Sequence, residues 1–161
     1  MRVVIGIGAN LGDRLAATRA AVGLVQRIDG VRVVARSRVY ETAPVGGVVQ
    51  PDFLNAAILV ECTLSPHALL DALLGIERTL GRDRGKDQVR WGPRTIDLDL
   101  LWIEGVVVAD DRLVVPHPRL TERAFALVPL LDVARNAIDP RTGTPFVAPQ
   151  ASDVRATTLT L

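Results

Sequence analysis

The fold is decided by a stretch near the middle of the chain, Arg90-Trp91-Gly92-Pro93-Arg94-Thr95-Ile96-Asp97-Leu98-Asp99-Leu100-Leu101. Its first half is basic and contains Gly and Pro, and its second half alternates apolar and acidic residues. On a β-strand, alternate side chains share a face and lie roughly 6–7 Å apart along the chain. Asp97 and Asp99 therefore point to one face, and the apolar residues around them point to the other, into a core.

This carboxylate pair has an ordinary alternative, because an isolated Asp-x-Asp is most often a solvated strand face. The strand that carries it is strongly apolar, however, which is typical of a strand covered on both faces. Two like charges in such a place repel each other and lack solvation unless cations compensate them. Carboxylates suit Mg²⁺, and neighbouring arginines suit the phosphates that Mg²⁺ holds. We therefore predict a phosphoryl-transfer site.

Composition limits the class of protein. The chain has 161 residues, 48% of them hydrophobic, and a net charge of +1, which predicts one domain over residues 1–161 with a sizeable core. The near-neutral charge gives no reason to expect binding to nucleic acid or to a membrane surface. The single cysteine, Cys62, excludes an intrachain disulfide. No apolar run is long enough for a signal-peptide core or a membrane span, so we expect a cytoplasmic protein.

Hydrophobic periodicity and turn residues predict the order βαββαβ, followed by further elements. The strands are expected over residues 2–7, 31–40 and 53–64 and from Asp97 on, with a short hairpin arm at 106–108, and the helices over 12–28, 66–81 and 121–135. In the second strand, Val31, Val33, Ala35 and Ser37 should share one side. The order is ferredoxin-like, an α+β fold with a mostly antiparallel sheet, and the third helix is expected to complete a three-layer α-β-α sandwich. The tail from about residue 139 is weakly patterned.

Gly6-Ile7-Gly8 lies between the first strand and the first helix, as in a dinucleotide-binding fingerprint. The third glycine is misplaced, because Leu11 occupies its position and Gly12 follows. The second strand also leads into a third strand rather than into a helix, so this interpretation is not favoured. We expect these glycines to let the backbone pass close to a flat ligand or to a neighbouring strand.

Four blocks of the sequence resemble the 6-hydroxymethyl-7,8-dihydropterin pyrophosphokinases of folate biosynthesis. They are Gly8-Ala9-Asn10-Leu11-Gly12, the block from Tyr40-Glu41-Thr42-Ala43-Pro44 to Gln50-Pro51-Asp52-Phe53-Leu54-Asn55, the central stretch quoted above, and Val115-Pro116-His117-Pro118-Arg119-Leu120 with Arg123-Ala124-Phe125. They occur in the order and spacing of that family, from about residue 2 to 135. The resemblance implies transfer of the β,γ-diphosphate of ATP to the hydroxymethyl oxygen of the pterin, with release of AMP.

The resemblance also implies roles for individual residues. Asp97 and Asp99 would bind two Mg²⁺ ions, and Arg82 and Arg94 would stabilise charge during transfer. The residues implied for ATP, the co-substrate, are Glu77, Arg84, Arg90, Leu100, Arg112, His117 and Arg123. Those implied for the pterin are Thr42, Pro44, Val45, Phe53, Asn55, Trp91 and Phe125. The residues themselves agree with this division, since a buried amide such as that of Asn55 needs partners and aromatic rings suit a planar ligand.

Other interpretations remain open from the sequence. A metal-dependent phosphohydrolase or nucleotidyltransferase would use the same aspartate pair without a pterin. A ferredoxin-like fold also serves RNA-binding and ligand-sensing domains that catalyse nothing, because fold alone does not decide function. The basic segment from Gly81 to Gly92 is predicted to be a lid that closes over bound ligands. The partners expected are small molecules only, and the expected state is a monomer.

Overall fold

The structure, a computed structural model, describes residues 1–44, 49–82, 93–149 and 153–161. Its strands are β1 (Arg2–Ala9), β2 (Val31–Arg36), β3 (Tyr40–Thr42), β4 (Phe53–Cys62), β5 (Asp97–Ile103), β6 (Val108–Ala109), β7 (Val114–Val115), β8 (Ile138–Asp139), β9 (Thr144–Pro145) and β10 (Val154–Ala156). Its α-helices are α1 (Arg14–Val25), α2 (Pro66–Thr79) and α3 (Ala124–Val133). None of the described helices is long and apolar enough to cross a membrane. The predicted single domain and the predicted cytoplasmic location stay predictions.

The main sheet has six strands and is antiparallel. The central strands β1 and β4 pair with each other, β5 pairs with the free side of β1, and β2 and β3 pair one after the other with β4. β10 adds to the outer side of β3. This is the ferredoxin-like βαββαβ arrangement, so the predicted fold class is confirmed.

The sheet separates two hydrophobic cores, because alternate residues of β1 face opposite ways. Val3, Ile5 and Ile7 pack into the core beneath α1 and α2. Val4 packs on the other face, into the core formed with Leu127 and other residues of α3. The three-layer sandwich predicted from the element order is therefore present.

Local signals set the starts of the first two helices. The Asp13 carboxylate accepts a hydrogen bond from the Ala16 N–H at 3.0 Å. Ser65 caps α2 through a hydrogen bond from the Ala68 N–H at 3.2 Å, and Pro66 occupies the first turn. Such caps satisfy N–H groups that have no partner inside the helix. The observed helices are shorter than predicted by a few residues at their ends.

The predicted third helix over 121–135 is divided. A 3₁₀ turn, Leu120–Glu122, is followed by α3, and between them Arg123 has φ −111° and ψ 87°, outside the helical range. The division places the Arg123 side chain beside His117 rather than along a continuous helix, with the Arg123 Nη1 atom 3.3 Å from His117 Nε2.

The predicted strand over 31–40 is also divided, into β2 and β3. Ser37 Oγ accepts a hydrogen bond from the Ala57 N–H at 2.8 Å, which takes the place of a strand-to-strand backbone bond. The register with β4 shifts between Val33 and Ala35. As a result Val33 packs against the α1/α2 core and Ala35 against the α3 core, so the prediction that these side chains share one side was wrong.

Candidate active site

The two predicted carboxylates lie on the α3 side of the sheet, opposite the glycines of β1. Gly8 is the cross-strand neighbour of Asp97, and Gly6 is the neighbour of Asp99. Leu98, between the aspartates, points into the core on the other face. Since the glycines carry no side chains, the space above β1 next to the carboxylates stays open, and all four residues line one cavity.

A buried charge network holds Asp97. Arg82 Nη1 donates to both Glu77 Oε1 and Asp97 Oδ1, and Arg94 Nη1 donates to Asp97 Oδ2. Glu77 is almost completely buried, and its Oε1 also accepts the Leu98 backbone N–H at 2.8 Å. Burial opposes ionisation of Asp97, but Arg94 and Arg82 outweigh it and hold the pKa of that carboxyl below its ordinary value.

Asp99 is in the opposite electrostatic situation. Burial and the charge of the neighbouring Asp97 raise its pKa to about 7, although Arg123 acts in the other direction. Neighbouring positive charge therefore stabilises the ionised form of Asp97 more than that of Asp99. A cation placed between them would favour the ionised form of both.

The site also contains an orphaned donor. The buried Nε of Arg82 has no hydrogen-bond partner in the part of the chain that the structure describes. A buried polar group without a partner is costly, by about 1–3 kcal/mol. An anion or water arriving at this end of the network would provide the missing acceptor.

His117 and Arg123 approach the site from the start of α3. Burial, assisted by the charge of Arg123, lowers the pKa of His117 to about 4, so the ring is neutral near pH 7. Its Nδ1 accepts the Arg119 backbone N–H at 3.2 Å, which assigns the ring proton to Nε2. That Nε2–H and the Arg123 guanidinium, 3.3 Å apart, are both donors. Two adjacent donors suit an anionic oxygen better than they suit each other.

The other half of the cavity is apolar, with one amide. Phe53 comes from β4 and Phe125 from α3, and Arg123 lies 5.8 Å from the centre of the Phe125 ring. Asn55 is buried, and its Nδ2 donates to Thr42 Oγ1 at 2.7 Å. The hydrogen bond fixes the orientation of the amide, so its Oδ1 remains available as an acceptor above Gly8.

The structure thus brings together most of the predicted residues. The cavity is lined by Gly6, Ile7, Gly8, Thr42, Ala43, Phe53, Asn55, Ala56, Arg94, Asp97, Asp99, Leu101, Arg123, Phe125 and Ala126. Glu77 and Arg82 lie directly behind Asp97, through the network above. Residues predicted for the pterin and residues predicted for phosphate and metal therefore share one cavity.

Some predicted residues lie elsewhere. The Leu100 side chain is buried in the α1/α2 core, on the face away from the cavity. Arg112 pairs with Asp71 at 2.6 Å on the surface of α2, and Pro44 is partly buried outside the cavity lining. The predicted roles of these three stay predictions. Val45, Arg84, Arg90 and Trp91, and with them most of the predicted lid, lie outside the described residues.

Sequence reasoning gave Asn10 no role, although the structure places it at a junction. Its Nδ2 donates to Gln50 Oε1 at 2.8 Å and to the Pro51 carbonyl at 3.1 Å. Its Oδ1 accepts the Arg94 N–H at 2.7 Å. Asn10 therefore links the segment before Phe53 to the segment before Asp97. An amide at the end of an apolar strand was the available signal, but nothing in the sequence showed what it joins.

Fold and cavity together define the class, an α+β enzyme with a carboxylate-and-arginine site beside an aromatic-walled pocket. The family model described as 7,8-dihydro-6-hydroxymethylpterin-pyrophosphokinase (HPPK) matches residues 4–135. The chain belongs to this family, and the predictions of the family and of an enzyme are confirmed.

Two pyrophosphokinases and one bifunctional protein of folate synthesis are among the similar proteins. The chain is 47% identical over 137 residues to the 2-amino-4-hydroxy-6-hydroxymethyldihydropteridine pyrophosphokinase of Methylorubrum extorquens, with 85% of each chain covered. It is 44% identical over 131 residues to the Bacillus subtilis protein of that name, with 81% of this chain and 77% of the relative covered. It is 46% identical to a mitochondrial folate synthesis bifunctional protein of Arabidopsis thaliana, covering 85% of this chain and 24% of the relative.

Solved structures support the fold. A crystallised HPPK-DHPS in complex with substrates superposes with a TM-score of 0.60 at 14% identity, over 82% of this chain and 40% of that one. A Plasmodium falciparum HPPK-DHPS triple mutant gives a TM-score of 0.66 at 15% identity, over 90% of this chain and 42% of that one. The chain thus spans about two fifths of these longer proteins.

Proposed function

We propose that this enzyme transfers the β,γ-diphosphate of ATP to the hydroxymethyl oxygen of 6-hydroxymethyl-7,8-dihydropterin, releasing AMP, as a step of folate biosynthesis. The observation that carries the proposal is the single cavity in which Asp97, Asp99 and Arg94 stand next to Phe53 and Asn55. A nucleotide phosphate chain needs the first group, and a flat heterocycle needs the second. The names of the relatives support the same substrate.

The charged end of the cavity fits a metal-bound polyphosphate. Asp97 and Asp99 supply two carboxylates, and no larger cluster of acidic, His or Cys residues occurs in the described ranges. This donor set fits Mg²⁺, which takes few protein ligands and fills its remaining positions with water and phosphate oxygens. When bound, the metal ions would neutralise charge on the phosphates, and Asp97 and Asp99 would hold them. Arg94, Arg82 and Arg123 would hold the phosphate oxygens.

The apolar end fits the pterin. Phe53 and Phe125 would pack on the faces of the ring, since aromatic pairs prefer offset or edge contacts with flat rings. The Asn55 amide, oriented by Thr42, would read the polar edge of the heterocycle.

The reaction balances without a protein nucleophile. The hydroxymethyl oxygen attacks the β-phosphorus of ATP, and the bond from that phosphorus to the bridging oxygen breaks. The oxygen that bridged the α- and β-phosphorus atoms leaves with AMP, and the hydroxyl proton passes to solvent water. Phosphoryl-type transfer is mostly positioning and charge stabilisation, and the residues in this cavity can supply both.

The test is to incubate the protein with Mg²⁺ and ATP, with and without 6-hydroxymethyl-7,8-dihydropterin, and to quantify AMP and ADP. We expect AMP that depends on the pterin and that disappears in an Asp97→Ala/Asp99→Ala variant. Asp29→Ala, an exposed carboxylate in the turn after α1, is the matched control and should remain active. ADP, or turnover without pterin, would instead favour a phosphohydrolase, and a folded protein without nucleotide chemistry would refute the enzymatic proposal.

A further inference from the structure

Residues 153–161 form a strap beyond the part of the chain that matches the family model, which ends at residue 135. Through β10 it pairs with β3 in the register Val154 to Thr42, Arg155 to Glu41 and Ala156 to Tyr40. The strap then continues to α1, where Arg19 Nε donates to the Thr160 carbonyl at 2.9 Å. It is thus attached to the sheet edge at one end and to a helix at the other.

β3 is the strand that leads into the proposed pterin half-site. It ends at Thr42, which lines the cavity and bonds to Asn55. β4 begins at Phe53, which also lines the cavity and is the cross-strand partner of Thr42. The relative position of Thr42 and Phe53 therefore depends on this end pair between β3 and β4 and on the contacts that support it.

Two acidic side chains lie at those ends, Glu41 next to Thr42 and Asp52 next to Phe53. Arg14 Nη1 contacts Glu41 Oε1 at 3.0 Å and the Asp52 carbonyl oxygen at 2.7 Å. Arg155 Nη2 lies 3.2 Å from Asp52 Oδ2 and 3.7 Å from Glu41 Oε2. Among the residues that the structure describes, Arg155 is the cation that contacts both carboxylates, and in its absence Arg14 is the described cation left to oppose their repulsion.

Arg155 does not line the cavity. Arg155 shares a face of the sheet with Glu41, its cross-strand neighbour. Glu41 and Thr42 are consecutive in β3, so their side chains point to opposite faces. Glu41 faces the α1 side, where Arg14 holds it, whereas Thr42 faces the cavity. Any effect of Arg155 on a ligand must therefore pass through the backbone of β3 and of residue 52.

We infer that Arg155 is a positioning residue. It holds Glu41 and Asp52 together and thereby keeps the neighbouring Thr42 and Phe53 in position for the pterin. The inference rests on the proposed function, because it assigns the effect to the pterin rather than to ATP. It gives the strap a role that the weak patterning of the tail did not indicate.

The test compares steady-state kinetics of Arg155→Ala, Arg155→Lys and Arg155→Glu with the parent protein. A surface ion pair of 0.2–1 kcal/mol corresponds to a factor of about 1.4 to 5. We expect Arg155→Ala to raise the KM for the pterin about two- to fivefold, with kcat and the KM for ATP unchanged. The KM of Arg155→Lys for the pterin should stay close to the parent value. The KM of Arg155→Glu should be higher than that of Arg155→Ala, because this substitution adds a third carboxylate.

Arg2→Ala is the matched control, since Arg2 makes a comparable exposed ion pair with Glu104, 3.2 Å long. An unchanged pterin KM in Arg155→Ala overturns the inference, as does an equal rise of both KM values or the same rise in Arg2→Ala. If the parent protein forms no pterin-dependent AMP, the proposed function fails and this inference with it. Pterin-dependent AMP in the parent with no shift in Arg155→Ala overturns this inference alone.

Discussion

Gly8→Ala tests the floor of the cavity. A Cβ atom on Gly8 would lie 3.2 Å from Asn55 Oδ1 and 4.0 Å from Asp97 Cβ. Ordinary carbon-to-oxygen contacts are about 3.3–3.6 Å, so the amide must retreat by a few tenths of an ångström. Its freedom to do so is limited by the 2.7 Å hydrogen bond from Nδ2 to Thr42 Oγ1. The methyl group therefore disturbs the Asn55 amide while leaving the charged network in place.

The expected effect follows from the value of one hydrogen bond. Losing a bond worth about 0.5–1.5 kcal/mol weakens binding by a factor of about 2 to 12, so we expect the KM for the pterin to rise by up to about tenfold. Stability should change little, because alanine removes about 0.5–1 kcal/mol of glycine entropy cost and the crowding offsets it. The melting temperature should stay within about 4 °C of the parent value.

The assay is AMP formation at varied pterin and saturating ATP, together with thermal unfolding. Gly23→Ala in α1 is the matched control, since a Cβ there meets nothing within 4 Å. It should raise the melting temperature by about 2–4 °C and leave the KM unchanged. An unaltered pterin KM in a folded Gly8→Ala protein would show that Asn55 does not read the substrate.

Three further sets of variants test the network and its supports. In metal-free buffer at pH 8, Asp99→Asn should raise the melting temperature. The folded pKa of Asp99, about 7, lies above its ordinary value, so this carboxyl lowers stability progressively as the pH rises from about 4 to 7, and the gain from the amide should vanish near pH 4. Asp97→Asn should lower the melting temperature at pH 8, because the lowered pKa of Asp97 indicates that its charge stabilises the fold and is lost only in acid. Melting temperatures that shift in the same direction in the two variants would contradict this explanation. Both variants should lose AMP formation. Asp132→Ala leaves the partly buried Tyr40 hydroxyl, 2.7 Å from Asp132 Oδ2, without that acceptor, and should cost about 1–3 kcal/mol in thermal unfolding with both KM values unchanged. Asn10→Ala removes three hydrogen bonds that join the segments on the two sides of the cavity, and should lower kcat about tenfold; a fall in stability with normal kcat would make Asn10 merely structural.

Strand alternation predicted the placement of the carboxylates because it depends only on local geometry. Asp97 and Asp99 share a face, and Leu98 points to the core, as the period of two requires. The same rule failed for Ala35, where the register shift in β2 reverses the side. A bulge depends on the partner strand and not on the bulged sequence alone. Local patterning therefore predicts the site strand and misses the irregular strand beside it.

Long-range contacts explain what the sequence left unassigned. Asn10 bonds residues 40, 41 and 84 positions away, and Arg155 contacts Asp52 103 positions away. The contacts of Asn10 and Arg155 correspond to no periodic pattern in the sequence. Neither residue can therefore be distinguished from an ordinary surface polar residue before the fold is known. The short strand β10 is likewise defined by the edge of β3 that it covers.

The site and the core are built on the same strand, β1, and this sets a limit on stability. One face of β1 is apolar along its length and packs against α1 and α2. On the other face, Val4 packs under α3, but the next two positions on that face are Gly6 and Gly8, which form the cavity floor. Glycine inside a strand costs about 0.5–1 kcal/mol relative to alanine, and here it also gives up side-chain packing. A Cβ on Gly6 would lie 2.9 Å from Leu101 Cδ1, so a larger residue at position 6 would clash with a side chain that already lines the cavity. On the face next to Asp97 and Asp99, the sheet therefore lacks side-chain packing where a ligand would bind. Bound substrate should stabilise the fold more than any single substitution at Gly6 or Gly8.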